Sequence, residues 1–208
     1  MLAGMDFQTS LFAPAAAPVA AAPTPERHEL GDGAWIDVAR DWLVDPDDVF
    51  TTLVGAVPWR AERRQMYDRV VDVPRLVHTY MIGDDLPHPR LTEARERLSA
   101  TYADELGEPF RTAGCCYYRD GRDSVAWHGD TIGRGSTQDT MVAIVSVGDP
   151  RRLHLRPRGG GEATAYEMGH GDLLVMGGSC QRTYEHAVLK VASAGPRISV
   201  QFRPFNVF

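Results

Sequence analysis

From Gly114 onward the apolar positions come in short runs parted by turn residues, whereas upstream they recur mainly at helical spacing. Short apolar runs bounded by Gly, Pro, Asp or Ser have the texture of strands, and recurrence every three to four residues that of helices packed on one side. Eight runs fit the strand pattern: Cys115 to Tyr118, Val125 to Trp127, Met141 to Val147, Leu153 to Leu155, Ala163 to Glu167, Asp172 to Val175, Glu185 to Val188 and Arg197 to Phe202. Upstream, Leu91, Ala94, Leu98 and Tyr102 predict a helix from Leu91 to about Leu106, and Pro46-Asp47-Asp48 opens another that runs to about Ala56. The acids of that opening suit the positive end of a helix. Ala34 to Val38 predicts a short strand. Pro74, Gly83, Pro87 and Pro89 interrupt Trp59 to Pro89, which predicts loops and short strands over a site. Eight strands after two helices make an α+β, mainly β fold, a double-stranded β-helix (jelly roll) with few open edges. Its mouth is a natural place for a metal and a small acid.

Composition narrows the class. A chain of 208 residues supports one well-buried core and is short for two. Residues 13 to 25 are almost entirely Ala and Pro and read as a solvated linker, so residues 1–30 are expected to be a disordered tail and 31–208 the folded domain. No apolar run approaches the roughly 18 residues that span a membrane. Cys115, Cys116 and Cys180 lack CxxC spacing and disulfide density, so they read as reduced thiols, and the N-terminus lacks the basic start of a secretory signal. A cytoplasmic monomer is the expectation.

The net charge of -6 is unevenly spread: residues 1 to 50 hold nine acids and two arginines, while the other 158 hold 19 acids and 20 bases. The body is therefore not acidic. Arg151, Arg152, Arg156 and Arg158 form one basic run, and Arg60, Arg63, Arg64, Arg69 and Arg75 another. Such patches suit phosphates or stand as solvated charge.

Within the β region, Ala126-Trp127-His128-Gly129-Asp130 places a His-x-Asp pair on a strand, so that both side chains point to one face. With His186, this makes two imidazoles and one carboxylate, the facial triad of non-heme Fe(II) oxygenases. Zinc hydrolases use similar donor sets. The strand Pro196 to Arg203 separates the two readings. Arg197, Ser199, Gln201 and Arg203 share one face, with Ile198, Val200 and Phe202 on the other. Two inward guanidiniums suit a dicarboxylate cosubstrate, which a zinc hydrolase does not need. Among the other histidines, His78, His88, His154 and His170 stand in polar or turn contexts that suit hydrogen-bonded or surface roles, and Trp127 suits packing beneath His128.

His128-x-Asp130, His186 and the Arg197-x-x-x-x-x-Arg203 strand, together with Tyr118-Arg119-Asp120, Asp123 to His128, and Gly171 to Gly178 with Gln181-Arg182, resemble the AlkB family of Fe(II) and 2-oxoglutarate dependent dioxygenases. The match runs from about Trp59 to Arg203. The resemblance implies a nucleotide-recognition lid over about 59–89 and a jelly-roll core over about 113–208. It also implies oxidative dealkylation of bases such as 1-methyladenine and 3-methylcytosine in DNA or RNA, with O2 consumed, 2-oxoglutarate converted to succinate and CO2, and the methyl group leaving as formaldehyde. His128, Asp130 and His186 would hold the iron. Arg197 would pair with the distal carboxylate of 2-oxoglutarate, Arg203 with the carboxylate near the iron, and Tyr118 would donate a hydrogen bond. Cys116 and Ser199 stand where members often carry Asn; Ser199 keeps a hydroxyl donor and Cys116 is a poorer one.

Pro74-Arg75-Leu76 with Thr79-Tyr80 resembles the lid, which implies that Tyr80 stacks on a flipped base opposite His128, with Arg75 beside it; the plainer role for Tyr80 is a core aromatic under the lid. The acid that holds the base in some members is replaced by Thr131-Ile132. Gln8-Thr9-Ser10-Leu11-Phe12 resembles the peptides that dock bacterial repair proteins on the sliding clamp. The rival readings are a hydroxylase of the same centre acting on a protein or small metabolite, and a jelly-roll binding module with a structural metal.

Overall fold

The computed structural model describes residues 23–66 and 69–207. Gln8 to Phe12 lie outside the described residues. The strands are β1 (Glu26–Gly31), β2 (Ala34–Ala39), β3 (Arg60–Met66), β4 (Arg69–Tyr80), β5 (Thr112–Tyr118), β6 (Val125–His128), β7 (Val142–Gly148), β8 (Arg151–Pro157), β9 (Thr164–Met168), β10 (Leu173–Gly178), β11 (Tyr184–Val188) and β12 (Arg197–Arg203). The helices are α1 (Pro46–Ala56), α2 (Pro89–Thr101) and the short α3 (Ala103–Leu106) and α4 (Cys180–Thr183). An eight-stranded sheet runs β1-β2-β10-β7-β12-β5-β4-β3 and faces a four-stranded sheet, β6-β11-β8-β9. Strands and sheets are those of a jelly roll.

Two cores result from the alternation of side chains across the large sheet. On one face Val145, Ile198, Val200 and Phe202 meet Leu53 of α1 and Leu91 and Leu98 of α2. On the other, Ile144, Leu174 and Met176 meet Leu153, Leu155 and Val188 of the small sheet. Each fully buried Leu or Ile contributes about 1.5–3 kcal/mol. His88 starts α2: its Nδ1 accepts from the Arg90 amide at 3.1 Å while its Nε2 meets Asp48 of α1 at 3.0 Å, so the two helices are tied at their beginnings.

The fold departs from the sequence pattern in three places. Strand β1 begins at Glu26, inside the segment read as tail. It carries almost no apolar signal and is held by pairing with β2 and by Arg27, which donates to Asp37 and Glu105 and lies 3.7 Å over the Trp35 ring. Residues 60–66 and 69–80 form two long antiparallel strands that continue the large sheet, not loops and short strands. Pro74 does not break β4, because the register shifts opposite it and no ladder N–H is required there. The predicted helix from Leu91 is divided at Tyr102 into α2 and α3.

Candidate metal centre and cosubstrate pocket

The centre is built where the small sheet opens. Strands β6 and β11 pair so that His128 and His186 stand directly opposite, their rings 4.2 Å apart. A carbonyl oxygen can only accept, so the 2.8 Å contact to the Ala126 oxygen fixes the proton on His128 Nδ1 and leaves Nε2 for a metal. Asp130 follows the strand, and its carboxylate lies with the two imidazoles so that one donor atom from each falls within 4.8 Å of the others.

Neighbours hold these ligands in their metal-binding forms. The Asp130 amide donates to Gln181 Oε1 at 3.0 Å, and Asp130 Oδ2 accepts from Arg203 Nε at 2.7 Å. Burial raises the Asp130 carboxyl, but Arg203 and the two imidazoles outweigh it and hold it at about 2. Burial, with His128 alongside, pushes the His186 imidazole down to about 3. A carboxylate and neutral imidazoles are what a divalent metal requires. Gly129, between the ligands, is pressed against α4: a Cβ there would meet Arg158 Nη2 at 2.6 Å and the Gln181 oxygen at 2.8 Å.

Next to the triad is a cavity lined by His128, His186, Tyr118, Cys116, Ser199, Arg197, Arg203 and Arg75, with Ile144, Leu153 and Val188 as apolar walls. Arg197 is 2 % exposed. Its Nε donates to Ser146 Oγ at 2.8 Å, and its guanidinium lies 5.4 Å from the Tyr118 ring centroid. Its Nη1 is buried with no partner among the described residues. Burying a charged donor without an acceptor is costly, and a carboxylate answers it. The donor set and this unpaired nitrogen therefore fit Fe(II) with 2-oxoglutarate. Arg203 spends its Nε on Asp130, and Gly114 gives it room, since a Cβ there would meet Nη1 at 2.8 Å. Ser199 Oγ accepts from Gln201 Nε2. Burial raises the Tyr118 phenol to about 12, so it stays a donor.

The lid residues are divided. Arg75 faces the cavity, with Nε 3.4 Å from Cys116 Sγ and Nη1 3.3 Å from the Ser124 oxygen. Tyr80 does not face His128. Paired with Ala113, it points to the helix side and packs in that core, edge-on to His78 at 4.6 Å, so the expected stack with His128 is corrected by the register of β4 on β5. The basic run on β8 is also largely engaged. Arg151 is buried and donates to the Asp120, Asp123 and Leu189 carbonyls, Arg156 pairs with Glu185 and covers Trp127 at 4.1 Å, and Arg158 donates to the Arg182 and Gln181 carbonyls. The sequence marked Gln181 only as part of the family resemblance, without a role, and did not mark Ser146; their roles depend on contacts 51 residues away in the chain.

A family model described as the 2OG-Fe(II) oxygenase superfamily matches residues 47–203. With the triad and the arginine strand already in one cavity, the chain belongs to that superfamily, whose cofactors are Fe(II), 2-oxoglutarate and O2. Within it, the AlkB family fits. Alpha-ketoglutarate-dependent dioxygenase alkB homolog 3 of Bos taurus is 30% identical over 181 residues, covering 77% of this chain and 62% of that protein. The Homo sapiens protein of the same name is 28% identical over 190 residues, 81% of this chain and 63% of that protein. Uncharacterized protein R406 of Acanthamoeba polyphaga mimivirus is 38% identical over 100 residues, 47% of this chain and 51% of that protein. The matches thus span about half to three fifths of these relatives. In fold, the chain is similar to the structure of OsALKBH1, with a TM-score of 0.58 at 14% identity over 86% of this chain and 99% of that one. It is equally similar, at 0.58 and 11% identity over 81% and 83%, to a prolyl hydroxylase from Trichoplax adhaerens in complex with a hypoxia inducible factor peptide. No described helix is long and apolar enough to cross a membrane.

Proposed function

We propose that the protein is a dioxygenase that removes N-alkyl groups from nucleobases such as 1-methyladenine and 3-methylcytosine in DNA or RNA. The observation that carries the oxidative part is the unpaired Arg197 Nη1 in the cavity that also holds the two imidazoles. The choice of a nucleobase rests on relatives named alkB homolog 3.

His128 Nε2, Asp130 and His186 hold the metal on one face and leave the other open. Arg197 takes the distal carboxylate of 2-oxoglutarate. Arg203 fixes the metal-binding carboxylate of Asp130 and adds positive charge where the cosubstrate chelates. Tyr118 donates to the cosubstrate, and Ile144, Leu153 and Val188 keep water from its chain. When bound, Fe(II) and 2-oxoglutarate would activate O2, the oxidant: one oxygen atom would end in succinate as 2-oxoglutarate loses CO2, the other as a hydroxyl on the alkyl carbon attached to nitrogen, whose C–N bond then breaks to release formaldehyde. The antiparallel pair of β3 and β4 serves as the lid, and the body from Glu26 onward as one oxygenase domain. Docking of Gln8 to Phe12 on a sliding clamp is part of the same reading, tested by titrating that peptide against the clamp.

One incubation tests the function: Fe(II), 2-oxoglutarate, O2 and DNA or RNA oligonucleotides bearing 3-methylcytosine or 1-methyladenine, with base mass and succinate both measured. Loss of 14 Da per lesion, matched by succinate, is expected. Succinate without base repair would place the substrate among proteins or small metabolites.

A further inference from the structure

The fold treats its three cysteines differently. Cys115 points into the helix-side core and Cys180 into the core between the sheets, and burial pushes both thiols up, Cys180 to about 12. Cys116, one residue along β5 from Cys115, faces the opposite way and lines the cavity beside the triad. Arg75 Nε donates to its sulfur at 3.4 Å, and Gln201 Oε1 lies 3.9 Å from it. The same cavity contains the buried, unpartnered Nη1 of Arg197, which calls for an anion. A thiol on the wall of an anion pocket shares space with whatever fills that pocket.

We propose that Cys116 is a modification site: hydrogen peroxide oxidises it to the sulfenic acid, which obstructs the cosubstrate pocket, and bound 2-oxoglutarate in turn shields the thiol. The inference rests on the assignment of this cavity to 2-oxoglutarate. In the step, sulfur attacks one peroxide oxygen, an S–O bond forms, and the O–O bond breaks. The thiol proton leaves with the second oxygen as water, so sulfur loses two electrons and peroxide gains them. The added oxygen enlarges the side chain where Arg75 and Gln201 already crowd it and gives the guanidinium a new acceptor inside the pocket. Cys115 cannot resolve the sulfenic acid, because successive strand residues point to opposite faces. An external thiol can: it condenses with the sulfenic acid, releasing water and forming a mixed disulfide, and a second thiol then returns Cys116.

The test uses the full-length protein. Iodoacetamide labelling followed by peptide mass spectrometry is expected to modify Cys116 at least about tenfold faster than Cys115 or Cys180, and Mn(II) with saturating 2-oxoglutarate is expected to slow that labelling about tenfold. In parallel, metal-free protein is treated with hydrogen peroxide, quenched with catalase, loaded with Mn(II) and titrated with 2-oxoglutarate by calorimetry. Affinity is expected to fall about tenfold or more and to return after dithiothreitol, while C116S keeps its own untreated affinity. Labelling of Cys116 no faster than Cys115, labelling indifferent to bound 2-oxoglutarate, or an equal loss of affinity in peroxide-treated C116S would each overturn the proposal. Untreated protein that binds no 2-oxoglutarate would instead remove the cosubstrate assignment on which it stands.

Discussion

Strand β12 presents two faces that are almost equally buried and chemically opposite. Ile198, Val200 and Phe202 are at most 1% exposed and belong to the apolar core on the helix side. Arg197 and Ser199, interleaved with them, are both 2% exposed, yet they face a cavity of cations, hydroxyls and metal ligands. The first face lowers the free energy of the fold by removing apolar surface from water. The second raises it, because a buried guanidinium nitrogen stands without an acceptor. Burial alone does not distinguish stability from function; an unmet polar requirement does. The outer face is finished when the chain folds, and the inner face is finished by a ligand.

Substitutions on the two faces should therefore fail in different ways. The largest effect is expected at the centre: H128A should lower succinate formation about a thousandfold or more and remove Mn(II) binding seen by calorimetry, with a melting temperature near that of the parent, since this half-exposed ring packs little. On the outer face, F202A should cost about 3–5 kcal/mol in urea unfolding through the cavity it leaves, while any folded fraction keeps its affinity for 2-oxoglutarate. A melting temperature that falls as far for H128A as for F202A would erase the division.

A smaller effect follows from His186, whose imidazole is held at about 3 against an ordinary 6.5. In metal-free protein the unfolded chain takes up this proton first as pH falls. Stability should thus decline from about pH 6.5 towards about pH 3, and H186A should flatten that slope in melting curves recorded across the range. The lowered carboxyl of Asp130 slopes the same way over a lower window: its contribution is complete above the unfolded value of 3.8 and is lost as pH falls through about 2. The smallest effect sharpens the assignment of faces in the lid strand. Y80L, which keeps apolar bulk but has no ring to stack on a base, should alter the repair kinetics of the folded protein by less than about twofold, because Tyr80 lies in the helix-side core; a loss of about tenfold in kcat/KM would return it to the substrate.

Much of this was legible in the chain. The eight strands downstream of Gly114 announce themselves because each needs apolar residues on at least one face, and α1 and α2 because one stripe of each is buried. That His128, Asp130 and His186 gather beside Arg197 and Arg203 was legible as well, since metal and carboxylate chemistry admit few residue types. Strand β1 was not, because it is held by Arg27, Asp37 and Glu105 and not by apolar burial. The long pair of β3 and β4 was hidden by Pro74, which reads as a breaker until the register shift opposite it is seen. Tyr80 required register too: along a strand, a shift of one residue exchanges the faces. Gln181 on the Asp130 amide and Ser146 on Arg197 are contacts of tertiary structure, without a local pattern to mark them.

The most direct test of the claim that one cavity serves metal and cosubstrate together is a calorimetric titration of 2-oxoglutarate into metal-free protein, Mn(II)-loaded protein and Mn(II)-loaded R197M. Binding should be strong with Mn(II), about tenfold or more weaker without it, and weaker by about 1.5–3 kcal/mol in R197M, whose melting temperature should not fall below the parent's. Equal affinity in the parent and R197M would contradict the account, since the unpaired nitrogen of Arg197 would then have some other partner than 2-oxoglutarate.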